Sequence, residues 1–369
     1  MLKSVLRGVL ALVLLSQAVL LAALLYRMWR QDQYASEMAI TSPDGISKTG
    51  FIVVGGIKQF IDIRGEHRSN PVLLIVAGGP GSSLVPLETV FRPWEKDFTI
   101  VQWDQRGAGK TFSENGPAHQ APMTIAQFVQ DGVQVAEYAR WILKKPKIVV
   151  LGASWGTIVG VGMVKAHPEI FSAYVGAGQV VASGPQETYD YNAVLQKARA
   201  AGDTSAVETL TQVGPPPYKS LEDVLTERSL SQRYDTDAER GIFWTLAPVV
   251  LTAPNYTLED IYSYQTSQGF AATALIREVE AYDARKLGTD FSVPMFIING
   301  DHDTITPMAL SKAWFDTLHA PQKEYVILPG GGHDAMLTMP GAFHDALMQH
   351  VRPVADAVDN TIIPPTRDN

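Results

Sequence analysis

A serine stands between two glycines in Gly152-Ala153-Ser154-Trp155-Gly156. It follows the apolar run Lys147 to Leu151 and precedes a helical pattern from Thr157 to Ala166. Strand, sharp turn and helix in that order describe a nucleophile elbow, in which glycines let strand and helix approach and the serine is lifted clear of the backbone. A serine hydroxyl is too weak an acid to attack a carbonyl unaided and needs an imidazole within hydrogen-bond reach. Of eight histidines, His333 is the candidate. It sits in Pro329-Gly330-Gly331-Gly332-His333-Asp334, just after the last strand pattern, and open α/β sheets build their sites at the carboxyl ends of strands. His167 precedes Pro168 at a helix end, and His319 and His344 suit helix surfaces.

The third partner must be an acid that holds the imidazole's tautomer. Ile297-Ile298-Asn299-Gly300-Asp301-His302-Asp303 ends a buried strand in a turn, and either aspartate qualifies. A tetrahedral intermediate also needs backbone N–H donors aimed at its oxyanion. Trp155, next to the nucleophile, supplies one. The other belongs to a loop after an earlier strand, and Ala77-Gly78-Gly79-Pro80-Gly81 follows Val72-Leu73-Leu74-Ile75-Val76 directly. A phosphate-binding loop would need a lysine and a Ser/Thr at set spacing, which this segment lacks. His302 with Asp301 and Asp303 lacks the helical spacing of a zinc site, and no residue set calls for a cofactor.

The elements that must position these groups alternate between strand and helix. Gly50 to Val54 and Ile57 to Ile63 read as a hairpin about Gly55-Gly56. Val72 to Val76, Phe98 to Trp103, Lys147 to Leu151, Ala173 to Gly178, Pro294 to Asn299 and Glu324 to Leu328 read as buried strands, with an amphipathic helix at Thr124 to Lys144. That alternation predicts an α/β fold, a mostly parallel sheet covered by helices on both faces. Between Ser183 and Thr289 no buried strand pattern appears, only short helical patterns and the break Pro215-Pro216-Pro217. This stretch reads as a helical insertion, a cap.

With 46% hydrophobic and 18% charged residues the chain has a sizeable core. A net charge of −8 argues against nucleic acid as a partner. The absence of cysteine excludes thiol catalysis and disulfides. At the amino terminus, Val9 to Tyr26 is apolar apart from Ser16 and Gln17 and is flanked by Lys3, Arg7, Arg27 and Arg30. Its length is near the minimum for spanning a bilayer. A cleaved signal, with Ser16 and Ala18 at the cleavage positions, is the alternative. Apolar residues continue past that point through Leu25 and favour a retained anchor. The flanking charges balance, and the large domain is expected outside the cytoplasm, in the periplasm, or secreted if the segment is cleaved.

Taken together, Gly78-Gly79-Pro80-Gly81, Asp104-Gln105-Arg106-Gly107-Ala108-Gly109, Gly152 to Thr157, the Gly300 to Pro307 pattern and Gly332-His333 resemble the proline iminopeptidase branch of the α/β-hydrolase superfamily. The resemblance spans about residues 50 to 350. It implies the α/β-hydrolase fold, a triad of Ser154, Asp303 and His333, and oxyanion donors from Gly79 and Trp155, with Asp104 and Arg106 bracing loops. It divides the chain into an N-terminal membrane or signal segment (1–30), a hydrolase core in two parts (40–182 and 290–353), a helical cap (183–289) and a loose tail (354–369).

Two positions depart from the family. Its oxyanion loop begins with histidine, where this chain has Ala77, so that loop must be braced differently. Its aminopeptidases hold the substrate's free amine with cap glutamates beside aromatic residues, whereas Ile261-Tyr262-Ser263-Tyr264-Gln265 has no glutamate. Glu187, Glu259, Glu278 and Glu280 are the substitutes, each more in keeping with a solvated helix face. The expected activity is hydrolysis of an amide or ester through an acyl-enzyme on a small molecule or short peptide. Aminopeptidase and, as its alternative, a carboxylesterase acting on small esters or lactones stand nearly level, and the proline-peptide substrate does not carry over from the family. Epoxide hydrolysis and dehalogenation need a carboxylate where Ser154 stands. A ligand-binding shell without turnover is the remaining reading.

Overall fold

Runs such as Val72-Leu73-Leu74-Ile75-Val76, apolar at every position, form strands only where both faces are covered. In the computed structural model, which describes residues 2–359, this run is strand β3 (Val72–Val76) and all of it is buried. The other strands are β1 (Ile46–Val54), β2 (Ile57–Gly65), β4 (Thr99–Trp103), β5 (Ile148–Ala153), β6 (Phe171–Ala177), β7 (Met295–Gly300) and β8 (Lys323–Leu328). They form one sheet in the order β1-β2-β4-β3-β5-β6-β7-β8. The β1–β2 and β2–β4 pairs are antiparallel, and the remaining pairs are parallel. Apolar clusters line both faces: Leu74, Val150, Ile158 and Trp314 on one, Leu73, Val149, Phe296 and Phe343 on the other.

The helix Ile125–Leu143 shows why a local pattern suffices for a boundary. Thr124 Oγ1 accepts from the Gln127 N–H at 3.2 Å, satisfying an amide left free in the first turn. Lys144 closes the helix in the left-handed region at φ 54°. Phe128, Val135, Ala136 and Ala139 turn inward with Asp131. Asp131 is buried because Arg106 meets it. Arg106 Nε lies 2.9 Å from Asp131 Oδ2, neither side chain exposed. The same guanidinium donates to Gln120 O at 2.9 Å and Gly55 O at 3.0 Å. One residue thus ties the β1–β2 hairpin, the loop after β4 and the helix together.

Between β6 and β7 lie the helices Ser183–Ala200, Thr204–Val213, Leu221–Arg233, Asp237–Leu251 and Leu258–Glu280. The excursion leaves and returns at one point, where Ala182 bridges Asp283 and the Ala284 N–H donates to Val181 O at 2.7 Å. Tyr191, Val194, Ala198, Leu210 and Leu230 give these helices a small core of their own.

Several boundaries differ from the sequence reading. The N-terminal helix runs Leu2–Glu37 rather than ending near residue 30. Gln31 extends it by donating to Ala253 O, as Arg27 does to Leu251 O, contacts that an apolarity pattern does not register. The segment from Val354 is not loose up to Asp359. The helix Arg352–Asp359 packs Ala355 into the core, and Lys145 Nζ meets Asp359 Oδ2 at 2.5 Å. The rest of the expected tail, 360–369, lies outside the described residues. His319 is on no helix surface; it bridges Asp290 after the helix Met308–Thr317.

Breaking a buried ion pair from one side leaves the other charge stranded. Arg106→Met is therefore expected to lower the unfolding free energy by about 3–5 kcal/mol in urea titration. Adding Asp131→Leu to it should recover part of that loss.

Candidate active site

Ser154 follows β5 at φ 50°, a region that β-carbon-bearing residues rarely occupy, and starts the helix Trp155–Ala166. The glycines around it are there for clearance. A β-carbon on Gly152 would sit 2.4 Å from Gly156 O, and one on Gly156 would sit 2.0 Å from Val76 O. Strand β5, strand β3 and the helix therefore meet backbone to backbone, which aims the Ser154 hydroxyl out over the carboxyl edge of the sheet.

The loops after β7 and β8 reach the same edge. His333 Nε2 lies 2.9 Å from Ser154 Oγ. On the far side of the ring, His333 Nδ1 is 3.2 Å from Asp303 Oδ1 and 3.1 Å from Oδ2. Asp303 also accepts the Thr306 N–H at 2.8 Å and the Thr306 hydroxyl. Asp301 is elsewhere: its Oδ1 accepts the Gly330 N–H at 2.7 Å and so holds the turn before His333. His302 points away, more than half exposed. Among the described residues, no group of three or more His, Cys, Asp or Glu is placed to hold a metal ion.

Burial opposes charging of the His333 ring, but the Asp303 carboxylate more than offsets it, with Asp334 and Glu239 adding, and the imidazole is pushed up to about 9. For Asp303 burial acts upward, yet His333 and the two Thr306 donors outweigh it and hold the carboxyl below its ordinary range.

Gly79 lines the cavity beside Ser154 with φ +114°, and any β-carbon there would press within 2.8 Å of the Gly81 and Ser82 amides. Trp155 N begins the helix on the other side. The loop that begins at Ala77 is braced by Gln105, which donates to Ala77 O at 2.9 Å and accepts from Trp155 Nε1 at 3.0 Å. Neighbouring Asp104 is buried, which raises its carboxyl to about 6 despite donors from Ser83, the Lys110 amide and Tyr256.

Two cavities meet at Ser154 and His333. One, of about 950 Å³, runs under the helical insert between Leu221, Val224, Leu225, Ile276 and Val279, with Glu187, Tyr218 and Arg228 among its walls. The other, of about 660 Å³, is walled by Ile242, Phe243, Leu246, Val250, Ile261 and Met336. Glu187 is no solvated helix residue. It joins Asp190 and Glu227 around Arg228, with N–O distances of 2.5 Å for Glu187 and 2.7 Å for the other two. Burial, and less strongly Asp190 and Glu187, raise Glu227 to about 8 against the pull of Arg228. Among the described residues Glu187 Oε2 and Glu227 Oε1 are shut from solvent without a hydrogen-bond donor. Glu259 and Glu280 are exposed, and Glu278 caps the helix Ile125–Leu143 by accepting the Ile125 N–H at 2.7 Å.

Several site residues have no sequence signal. Gln105 and Thr306 lie inside the motifs, but their roles depend on the folded loops. Gly178, after β6, lies so close that a β-carbon would come within 2.9 Å of the His333 ring. Glu239, from the cap, accepts the Asp334 N–H at 3.2 Å and the Thr338 hydroxyl at 3.1 Å, latching the cap to the His333 loop.

An elbow serine beneath a helical insert, on a mostly parallel sheet, defines a hydrolase architecture. The chain belongs to the alpha/beta hydrolase fold family, whose model matches residues 71–340. Within that family it is proline iminopeptidase-like. It is 30% identical over 308 residues to the probable aminopeptidase YbaC of Bacillus subtilis (strain 168), covering 81% of this chain and 94% of that protein. It is 24% identical over 284 residues to the proline iminopeptidase of Xylella fastidiosa (strain 9a5c), covering 73% and 85%. The solved proline iminopeptidase-related protein of Thermus thermophilus shares the fold at a TM-score of 0.59 and 16% identity, over 86% of this chain and all of that one.

A base must be neutral to take the serine proton, so kcat/KM should rise with pH as the imidazole deprotonates. Because that pKa is raised from its ordinary 6.5 to about 9, the rising limb of the pH profile is expected on the alkaline side of neutrality. Asp303→Asn should move the limb down in pH and cut kcat. A wild-type limb centred near 6.5 would show that the carboxylate does not act on the ring.

Proposed function

We propose that this chain is a membrane-anchored serine aminopeptidase. Ser154 Oγ attacks the substrate carbonyl as His333 takes its proton, and Asp303 holds the ring. The Gly79 and Trp155 N–H groups receive the oxyanion. His333 then returns the proton to the leaving amine, and water, activated by the same imidazole, releases the acyl group from Ser154.

The observation that carries the aminopeptidase reading is Glu187, which lines the cavity that holds Ser154 and whose Oε2 is buried without a donor. Three carboxylates, Glu187, Asp190 and Glu227, face the one guanidinium of Arg228, and burial raises both Glu187 and Glu227 above the usual carboxylate range. A substrate ammonium supplies this cluster with a cation and a donor beyond Arg228. The helices from Ser183 to Glu280 act in this reading as the cap that reads the amine.

The carboxylesterase reading draws support from the second, apolar cavity beside Ser154. The N-terminal helix is long and apolar enough to cross a membrane. Retention rather than cleavage is supported by its contacts, since Arg27 Nε donates to Leu251 O at 2.9 Å and Gln31 to Ala253 O at 2.8 Å. Cleavage after Ala18 would leave Val19 to Tyr26 exposed with nothing to cover them. For the catalytic domain we propose the extracytoplasmic side.

The test is hydrolysis of prolyl-β-naphthylamide, its N-acetyl derivative and p-nitrophenyl butyrate. The free-amine amide should be cleaved at least tenfold better than the acetylated one. Glu187→Gln should erase that preference, chiefly through KM, and Ser154→Ala should abolish all activity. Equal cleavage of blocked and free amides, with rapid ester turnover, would favour the esterase.

A further inference from the structure

The apolar cavity beside Ser154 opens where the N-terminal helix meets the cap. Phe243 and Leu251 line it, yet they are 59% and 49% exposed, so they form its mouth. Trp244, 78% exposed, stands edge-on to Phe243 at a ring separation of 5.1 Å. On the helix Asp237–Leu251, Trp244, Pro248 and Leu251 are spaced to share one face. An exposed tryptophan beside an apolar mouth needs an occupant.

The N-terminal helix identifies it. Arg27 donates to the carbonyls of Leu251 and Tyr256, and Gln31 to that of Ala253. The helix therefore leaves the protein at the carboxyl end of the helix that bears Trp244. From Val5 to Tyr26 every residue is exposed. At 1.5 Å per residue these residues extend about 33 Å, close to the ~30 Å of a bilayer core. Tyr26, Trp29 and Arg30 stand at the end nearest the cap, where aromatic and basic residues mark a membrane surface. The leaflet surface thus falls beside Leu251, level with the cavity mouth.

We infer that the Phe243–Trp244–Leu251 face rests in the lipid leaflet, and that the apolar cavity takes the hydrocarbon chain of a leaving group drawn from that leaflet. This rests on the aminopeptidase reading for the other half of the substrate, whose amine faces Glu187. The substrate class is an aminoacyl or peptidyl group joined by an amide or ester to a long-chain lipid. Its carbonyl–nitrogen or carbonyl–oxygen bond breaks, the lipid amine or alcohol leaves with the proton from His333, and water frees the aminoacyl group.

The test uses the full chain reconstituted in phosphatidylcholine vesicles, with prolyl-hexadecylamide in the bilayer and prolyl-β-naphthylamide in solution. Trp244→Glu should lower kcat/KM for the hexadecylamide about tenfold or more and leave the naphthylamide within about twofold. Independently, vesicles of brominated phosphatidylcholine should quench a component of the wild-type fluorescence that Trp244→Phe lacks. Wild-type rates on both substrates in Trp244→Glu, or equal quenching in Trp244→Phe, would overturn the inference. If free and N-acetylated amides are cleaved alike while Trp244→Glu still loses only the bilayer substrate, the amine reading fails and the membrane inference stands.

Discussion

Everything at this site depends on how closely the helix Trp155–Ala166 approaches strands β3 and β5. Gly156 lies so near Val76 O that no side chain fits between them, and Gly152 faces Gly156 in the same way. That contact forces Ser154 into a left-handed backbone conformation and holds its hydroxyl above the sheet edge. The strain is local, and the buried strands on either side, β3 and β6, hold it in place. With the serine held so, the loops after β7 and β8 need only deliver an acid and an imidazole to the same edge.

Electrostatics then separate the two ends of the cavity system. Around His333, one buried carboxylate and two Thr306 donors hold the ring in orientation and raise its basicity. Under the cap, three carboxylates surround a single guanidinium, an arrangement deficient in positive charge. On the opposite side of Ser154 the second cavity sets Phe243, Leu246 and Ile261 beside Ser82, Ser83 and Gln232. Both cavities meet at Ser154, and each sets polar side chains among apolar walls.

The helical insert between β6 and β7 is held to the body by both polar and apolar contacts. Its helices have only a small core of their own, and they are tied down by polar contacts at their base and at Glu239. Glu239 is buried, and that burial, with Asp334 and Asp235 nearby, raises it to about 7. This latch adds to the apolar contacts by which Val250, Tyr256, Ile261 and Leu275 pack on the body.

Local pattern determined the strands and their edges, because a run such as Val72 to Val76 has no polar face to expose and Thr124 caps its helix through its neighbours alone. It also marked Ser154 and His333, since glycine spacing and position after a strand are properties of short segments. The choice between Asp301 and Asp303 needed a family resemblance, because two residues of chain reverse which carboxylate faces the ring. Tertiary structure alone decided the role of Glu187, a helix residue until Arg228 and Glu227 arrive from a helix some forty positions on. It also decided the use of Gln105 as the brace for Ala77, and the meeting of the N-terminal helix with Leu251. Each of these is a contact between segments distant in the chain, whose partners are chosen by packing and whose charges acquire meaning only once water is gone.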